Sequence, residues 1–290
     1  MGETLYLDGD FGYQDYRVAR IEEVVIDATD ARWIVANMGA KTNKYPFLVD
    51  KSNRVTAIGG VIAGEVPLDL DWEEAYENSA AVFMRDTGNV VIRNWSISQA
   101  WDAIRVDGAG DNFRIEQVYL KDIRDDGVEN DDGWNGTIRN SLFDGVFVGL
   151  SLADGGSQPA QDHLVILEKL LMRMETFRYR GRVTHGAMFK VADTSPGLII
   201  RDSVFAISDV NHAGQRRMKI AWGKVREASG NVLLNLTDTP LPKDYPLPKE
   251  GFVLLEGAEA RAHWESAAAD WIRENAAWLG GGTSQEATPE

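Results

Sequence analysis

Short runs of alternating apolar and polar residues recur through the middle of the chain at a nearly constant distance. Three copies read FMRDTGNVVIRNWS (83–96), IRVDGAGDNFRIEQVY (104–119) and VENDDGWNGTIRNSL (128–142). In each, a strand-like run closes on an aspartate, a polar turn with Gly or Asn follows, and a second run forms around an isoleucine. The closing residues are Asp86, Asp107 and Asp131, 21 and 24 residues apart. Such a repeat predicts a β solenoid, with one coil per repeat.

Two further stretches extend the pattern on both sides. FLVDKSNRVTAIGG closes at Asp50, and FKVADTSPGLIIRDSVF begins at Phe189. The chain lacks the Leu and Asn ladder of leucine-rich repeats and the 3.6-residue stripes of helical repeats. Between about residues 20 and 240 the repeats resemble those of the pectin-lyase-like superfamily. The resemblance implies an all-β fold, the right-handed parallel β-helix.

One β-helix domain is predicted over residues 1–250. Its rhythm is interrupted by three predicted inserts, at 66–80, 152–182 and 208–230. The first insert contains a predicted helical turn at 72–76. Long inserts in a solenoid project from one face and often border a groove. The inserts therefore indicate where a site would lie.

A helix is predicted within residues 251–280. Trp264, Trp271 and Trp278 recur there at near-helical spacing, which is typical of an amphipathic helix. We expect this helix to cap the open end of the solenoid, because uncovered strand edges invite aggregation. The tail, 281–290, is expected to be disordered.

Composition narrows the classes of function. The chain has 290 residues, no cysteine and a formal net charge of −15. The charge argues against nucleic-acid binding, which needs a basic surface. The absence of cysteine excludes disulfides and thiolate metal sites. No run of 18 apolar residues predicts a membrane span. We expect a monomer that is secreted or periplasmic, with any signal peptide already removed.

The solenoid repeat predicts which distant side chains meet. Aligning Ile104, Val128 and Phe189 as inward residues places Arg105, Glu129 and Lys190 on one outer face. Two positions further along, Asp107 and Asp131 point out as well. A register slip of two would bring Lys190 beside Asp131 instead. Either alignment gathers a lysine, an arginine and several carboxylates on strands about 4.8 Å apart.

The densest acidic stretch is IRDDGVENDD, with five carboxyl groups within eight residues: Asp125, Asp126, Glu129, Asp131 and Asp132. Clustered carboxylates repel one another, so such a stretch needs cations nearby. A calcium site is one interpretation, because Ca²⁺ takes six to eight oxygen ligands. A pair of carboxyls for glycoside hydrolysis is a second. Turn-capping and solvated side chains are the third.

Calcium would suit the β-elimination of a uronate-containing polysaccharide. The reaction removes the C5 proton and expels the O4 substituent, so an electrophile must stabilise the charge that develops. Lys190 is the candidate base, which would require its pKa to fall by roughly 2.4 units to about 8. Arg182, Arg216 and Arg217 lie on the inserts and could bind an acidic substrate.

The stretch IRVDGAGDNFRIEQVYLKDIRDDGVEN resembles the small family-3 pectate lyases, and FKVADTSPGLIIRDSVF is similar to their catalytic-lysine coil. The resemblance implies calcium at Asp107, Asp126 and Glu129, the base at Lys190, and Arg216 on the substrate carboxylate. Asp131, in the same acidic stretch, completes the predicted metal site. Those enzymes are rich in disulfides, whereas this chain has no cysteine.

His185, in VTHGAMFKV, supports a second enzyme class. A His-Gly step on a solenoid resembles the polygalacturonase type of glycoside hydrolase, for which the resemblance implies aspartates at Asp107, Asp125 and Asp126. The Arg-Ile-Lys motif of that family is missing. His185 could equally be a hydrogen-bonded turn residue. His163, His212 and His263 lack metal-like spacing, so zinc is not predicted.

The remaining candidates would bind substrate or assist the reaction. Tyr179, in FRYRGR, could protonate the leaving group or pack within its insert. Trp134, in a turn, is a candidate for stacking on a sugar ring; Trp95 and Trp101 are weaker ones. Together with the substrate-binding candidates Arg105, Arg182 and Arg217, these residues predict a lyase that acts on an acidic polysaccharide. A hydrolase and a non-catalytic glycan-binding solenoid are the alternatives.

Overall fold

The computed structural model describes residues 2–35, 44–152 and 160–279. The elements, in chain order, are β1 (Thr4–Gly12), β2 (Tyr16–Ala19), β3 (Val25–Val35), β4 (Phe47–Asp50), β5 (Thr56–Ile58), β6 (Val61–Gly64), α1 (Trp72–Ala75), β7 (Ala80–Arg85), β8 (Val90–Arg93), β9 (Ser96–Ser98), β10 (Asp102–Asp107), β11 (Phe113–Glu116), β12 (Tyr119–Asn130), β13 (Gly136–Leu152), β14 (Leu164–Met174), β15 (Phe177–Tyr179), β16 (Arg182–Thr184), β17 (Phe189–Val191), β18 (Gly197–Arg201), β19 (Val204–Ile207), α2 (Gln215–Lys224), β20 (Val225–Ser229), β21 (Asn231–Asn235), β22 (Phe252–Glu256) and α3 (Gly257–Leu279). Parallel pairing links successive coils, which confirms the predicted parallel β-helix.

The coils form three faces. Face A contains β2, β4, β7, β10, the ends of β12 and β13, and β17. Face B contains the starts of β1, β3, β13 and β14 with β5, β8, β11, β18 and β20. Face C contains the remaining parts of the long strands with β6, β9, β19, β21 and β22. Long strands such as β13 bend across two corners and contribute to all three faces.

Inward columns of apolar residues hold the faces together. On face A one column runs through Phe47, Val82, Ile104, Val128, Leu150 and Phe189, all fully buried. The predicted equivalence of Ile104, Val128 and Phe189 is confirmed. Sequence alignment missed the intervening coil of Leu150, so Lys190 lies two coils from Glu129. Residues one apart on a strand face opposite sides, which places Arg105, Glu129, Ser151 and Lys190 in the outer column.

A left-handed residue turns the chain from face B to face C on most coils. It directly follows the last face B residue, and the positions are Gly59, Asn94, Gln117, Asn140, Lys169, Asp202 and Gly230. Glycine and asparagine tolerate this conformation, and four of these seven positions carry one of them. Asp86 does not align with Asp107, because Asp107 pairs with Arg85.

Two predicted inserts are shorter than expected. Residues 164–174 form β14, a regular strand of faces B and C, so the insert after it is the hairpin β15–β16. Part of the predicted 152–182 insert lies outside the described residues. The 208–230 stretch provides α2 and then β20, which returns to face B. The helical turn predicted at 72–76 is present as α1.

The C-terminal helix is present, but it does not cap the end of the solenoid. Trp264 and Trp271 of α3 pack on outward apolar residues of face C, including Leu142, Leu171 and Leu234. The outer surface of face C is apolar, and burying it under a helix is favourable. The shorter α2 packs beside β17, with Trp222 against Phe189 at a centroid distance of 5.7 Å. The predicted tail, 281–290, lies outside the described residues.

Candidate active site

A groove of about 570 Å³ lies over the last strands of face A. The inserts supply its walls: α1 and the β15–β16 hairpin on one side and the start of α2 at one end. Its lining residues are Trp72, Asp125, Phe147, Val148, Tyr179, Arg180, Arg182, Gly186, Ala187, Lys190, Ala213, Gly214 and Arg217. Four of them are cationic side chains, and among the described residues that line the groove Asp125 is the one acid. The groove thus combines anion recognition with one titratable carboxyl group.

A break in strand pairing aims Asp125 at the groove. The register between β12 and β13 shifts between Ile123 and Asp126, so one extra residue is inserted at the corner of faces C and A. Bulges of this kind bend a strand and redirect its side chains. The preceding Arg124 is fully buried, whereas Asp125 reaches the groove. The sequence showed the pair of acids but not the bulge that separates their directions.

Beneath the groove lies a carboxyl cluster formed by Asp102, Asp126 and Glu129, whose oxygens lie within 4.8 Å of one another. Arg105 forms ion pairs with Asp102, at 2.6 Å, and with Glu129. The Lys190 Nζ lies 3.6 Å from the Asp126 carboxylate. Sequence reasoning missed Asp102, although its position two residues before Ile104 matches that of Asp126 before Val128.

Burial makes these carboxyl groups hard to ionise. Desolvation raises the pKa of Asp126 to about 8, and the neighbouring Asp125 adds to the effect. Desolvation likewise raises the pKa of Glu129 to about 7 and that of Asp125 to about 6. The pKa of the fully buried Asp102 is raised as well. Two cations therefore offset only part of the cost of burying these four acids, so each of them ionises at a higher pH than it would in water.

The prediction that Lys190 is a neutral base is wrong. Its pKa is raised, chiefly by the Asp126 carboxylate and against the effect of burial. A lysine among acids is stabilised in its charged form, so it is a poor base. The side chain is 35% exposed and lines the groove, where it presents a fixed positive charge.

The predicted calcium ligands do not form one site. Asp107 shares a hydrogen bond with Asp132, and burial first, then Asp132, raises its pKa to about 6. Asp131 accepts a hydrogen bond of 2.6 Å from Ser151. Asp126 and Glu129 do lie together, but Arg105 and Lys190 already provide their countercharges. Carboxyl groups that already pair with two cations are a poor ligand set for Ca²⁺, which takes six to eight oxygen ligands.

The predicted substrate arginines separate into three places. Arg182 and Arg217 line the groove, together with Arg180, which sequence reasoning did not select. Arg217 also donates a hydrogen bond of 2.8 Å to the Val191 carbonyl. Arg216 lies in a neighbouring depression of about 300 Å³ that it shares with Arg217. Arg105 is 8% exposed and belongs to the carboxyl cluster below the groove.

His185 is fully buried and cannot reach a substrate in this arrangement. Its ring stacks on His212 at 4.3 Å, and desolvation lowers its pKa to about 4. His212 lies 2.9 Å from the Tyr245 hydroxyl. The pair therefore packs the base of the groove wall formed by Gly186 and Gly214.

The tryptophan that lines the groove is not the predicted one. Trp134 is 3% exposed, and its indole nitrogen donates to the Gly108 carbonyl at 3.2 Å. Trp95 and Trp101 are buried as well. Trp72, on α1, lines the groove, and its ring lies 6.1 Å from that of Tyr179. The sequence signal that could have identified Trp72 was its place in a predicted insert.

Comparison with known families agrees with this architecture. Residues 32–163 match the family described as right handed beta helix region. No curated protein matches the chain significantly. The described residues include no helix with the length and apolar character needed to cross a membrane. The chain therefore has the fold of a right-handed parallel β-helix, and its candidate site is the groove on face A.

Proposed function

We propose that the groove binds an acidic, uronate-containing polysaccharide and cleaves it by β-elimination. The observation that carries the proposal is Asp125, a carboxyl group whose pKa is raised to about 6 in a groove lined by Lys190 and three arginines. Above that pH it is a carboxylate able to take the C5 proton. Right-handed β-helix proteins include pectate lyases and polygalacturonases, which makes a polysaccharide the favoured substrate class.

The cations supply the stabilisation that elimination needs. Removing the C5 proton places negative charge on the neighbouring carboxylate, and fixed positive charges lower the energy of that state. Lys190 lies nearest the floor, while Arg182 and Arg217 line the groove beside it. Tyr179, on the β15–β16 hairpin, is the candidate that protonates the leaving oxygen. The countercharge comes from side chains, so no step of this reaction uses calcium.

Hydrolysis of the same substrate is the second candidate. A general acid needs a raised pKa, and Asp125 has one. Hydrolysis by the common mechanism also needs a second carboxyl group on the other side of the scissile bond. The nearest acids, Asp126 and Glu129, lie under the floor and contact Lys190 and Arg105. That arrangement favours elimination.

The test is an assay on polygalacturonate, alginate and neutral glucans, with absorbance near 235 nm and reducing ends read together, with and without EDTA. We expect both signals to rise on a uronate polymer, with activity increasing through about pH 6 as Asp125 ionises and with no loss in EDTA. Reducing ends without absorbance, and activity that falls above pH 6, would establish hydrolysis instead. Loss of activity in EDTA would contradict the metal-free arrangement.

A further inference from the structure

Arg124 is an arginine that lies completely buried between the outer surface of the solenoid and its inserts. It has no exposed surface, and its Nη2 donates to the carbonyl oxygens of Leu70, at 3.1 Å, and Arg178, at 2.6 Å. The guanidinium lies 5.8 Å and 5.0 Å from the ring centroids of Phe147 and Phe177. Burying an arginine is unfavourable unless its contacts compensate. The contacts of Arg124 therefore indicate its structural role.

Those contacts join two inserts that are distant in sequence. Leu70 precedes α1, whereas Arg178 belongs to the β15–β16 hairpin. A second tie lies outside: the Asp71 carboxylate accepts hydrogen bonds from the backbone nitrogens of Arg180, at 3.0 Å, and Gly181, at 2.8 Å. In each tie, a charged side chain of one segment contacts backbone groups of another. Such contacts fix both the distance and the orientation between the segments.

The wall built in this way carries groove residues from both inserts. Trp72 follows Asp71 and Tyr179 follows Arg178, and both rings line the groove. Asp125 is the residue next to Arg124 in β12. We propose that Arg124 is a positioning residue that holds α1 and the hairpin together as one preformed wall beside Asp125. Its importance for catalysis rests on the proposed function, whereas assembly of the wall does not.

Limited trypsin digestion tests the wall without substrate. Arg178, Arg180 and Arg182 are exposed trypsin sites on the hairpin, and cleavage requires the hairpin to open. In Arg124→Met, which keeps an apolar side chain but loses both carbonyl contacts, we expect cutting at these sites to be at least about tenfold faster. Mass spectrometry identifies the first cut. Cutting at the wild-type rate would overturn the inference.

Three further variants make the result specific. Arg124→Lys keeps the charge and can reach one carbonyl, so it should recover much of the resistance. Arg114→Met, on the exposed side of face B, is the matched control and should cut like wild type. If Arg124→Met unfolds the solenoid, Asp71→Asn decides the matter. It removes the charge of the outer tie and leaves Arg124 in place, and failure of this variant to speed hairpin cutting would overturn the inference of a preformed wall.

The polysaccharide assay then separates the wall from the chemistry. With an active wild type, Arg124→Met should lower kcat and Arg124→Lys should restore it, while Arg114→Met has no effect. Full activity in Arg124→Met despite faster hairpin cutting would overturn the positioning role. If faster cutting occurs and wild type cleaves no polymer, the wall stands and the proposed function fails.

Discussion

Faces A and B are made from the same coils, yet their charged residues are arranged differently. On face B one column alternates in sign from coil to coil through Arg93, Glu116, Arg139, Glu168 and Arg201. Within it, Arg139 lies 3.1 Å from Glu116. On face A, Asp102 and Asp126 lie on adjacent coils, and inserts cover them.

The difference shows what turns a solenoid face into a candidate site. Alternating charges on exposed strands satisfy one another and stabilise the pairing of coils. Like charges on adjacent coils are unfavourable, and covering them with inserts increases the cost. Proteins retain such arrangements mainly where the shifted pKa values are used, which is the basis for placing function on face A.

The largest effect is expected from Asp125→Asn. Removing the carboxyl group that transfers the proton should reduce cleavage by about 10²–10⁴-fold. The matched control is Glu168→Gln on face B, which should keep full activity. Initial rates of 235 nm absorbance on the active polymer provide the measurement. An active Asp125→Asn protein would show that the two faces do not differ in the way proposed.

The pH dependence of stability gives the next largest effect. A carboxyl group whose folded pKa is raised makes the folded state bind more protons, so stability falls as pH rises towards that pKa. For Asp126, with a folded pKa of about 8, the loss between pH 6.5 and 8 should be roughly 1–2 kcal/mol. Urea unfolding at several pH values measures it.

A pH window and a variant make this experiment specific to the carboxyl groups. Desolvation lowers the pKa values of His185 and His212 to about 4 and about 3, so their contribution is lost only below about pH 6.5. The loss of stability above pH 6.5 therefore reports the carboxyl groups, because the two histidines contribute no slope there. Asp126→Asn should flatten the slope above pH 6.5. An equally steep slope in that variant would contradict the assignment.

The smallest effect is expected on face B. Arg139→Glu would place three acidic side chains in a row with Glu116 and Glu168, and should cost at most about 1 kcal/mol because the site is exposed. Denaturant midpoints at low and high salt measure it, and salt should reduce the difference. A salt-independent loss would mean that packing rather than charge is responsible.

The coils were predictable because they repeat. The alternating pattern gave the strands, and aligning Ile104 with Val128 gave the neighbours Arg105 and Glu129 correctly. The site was only partly predictable. Asp125, Tyr179, Arg182 and Lys190 were selected, but Lys190 received the wrong role because its pKa depends on Asp126, which lies 3.6 Å away and two coils earlier.

The misplaced residues share a physical cause. Sequence alone does not show which polar or aromatic side chains a neighbouring coil buries. His185 and Trp134 were candidates for contact with substrate because they lie in predicted turns. In the structure, the His185 ring stacks on His212, and the Trp134 indole nitrogen donates to the Gly108 carbonyl. Trp72 and Arg180 come from inserts, where no repeat fixes the position of a side chain.

By itself, the sequence determined the β-helix, the stacking of its coils and the acidic character of face A, because alternation and repeat length act locally and add up along the chain. Only the tertiary structure decided that a bulge turns Asp125 towards the groove, that Arg105 and Lys190 form ion pairs with the buried acids, and that Arg124 joins two inserts. Those outcomes depend on burial and on distances between residues far apart in sequence, since desolvation and countercharge set the pKa of each group.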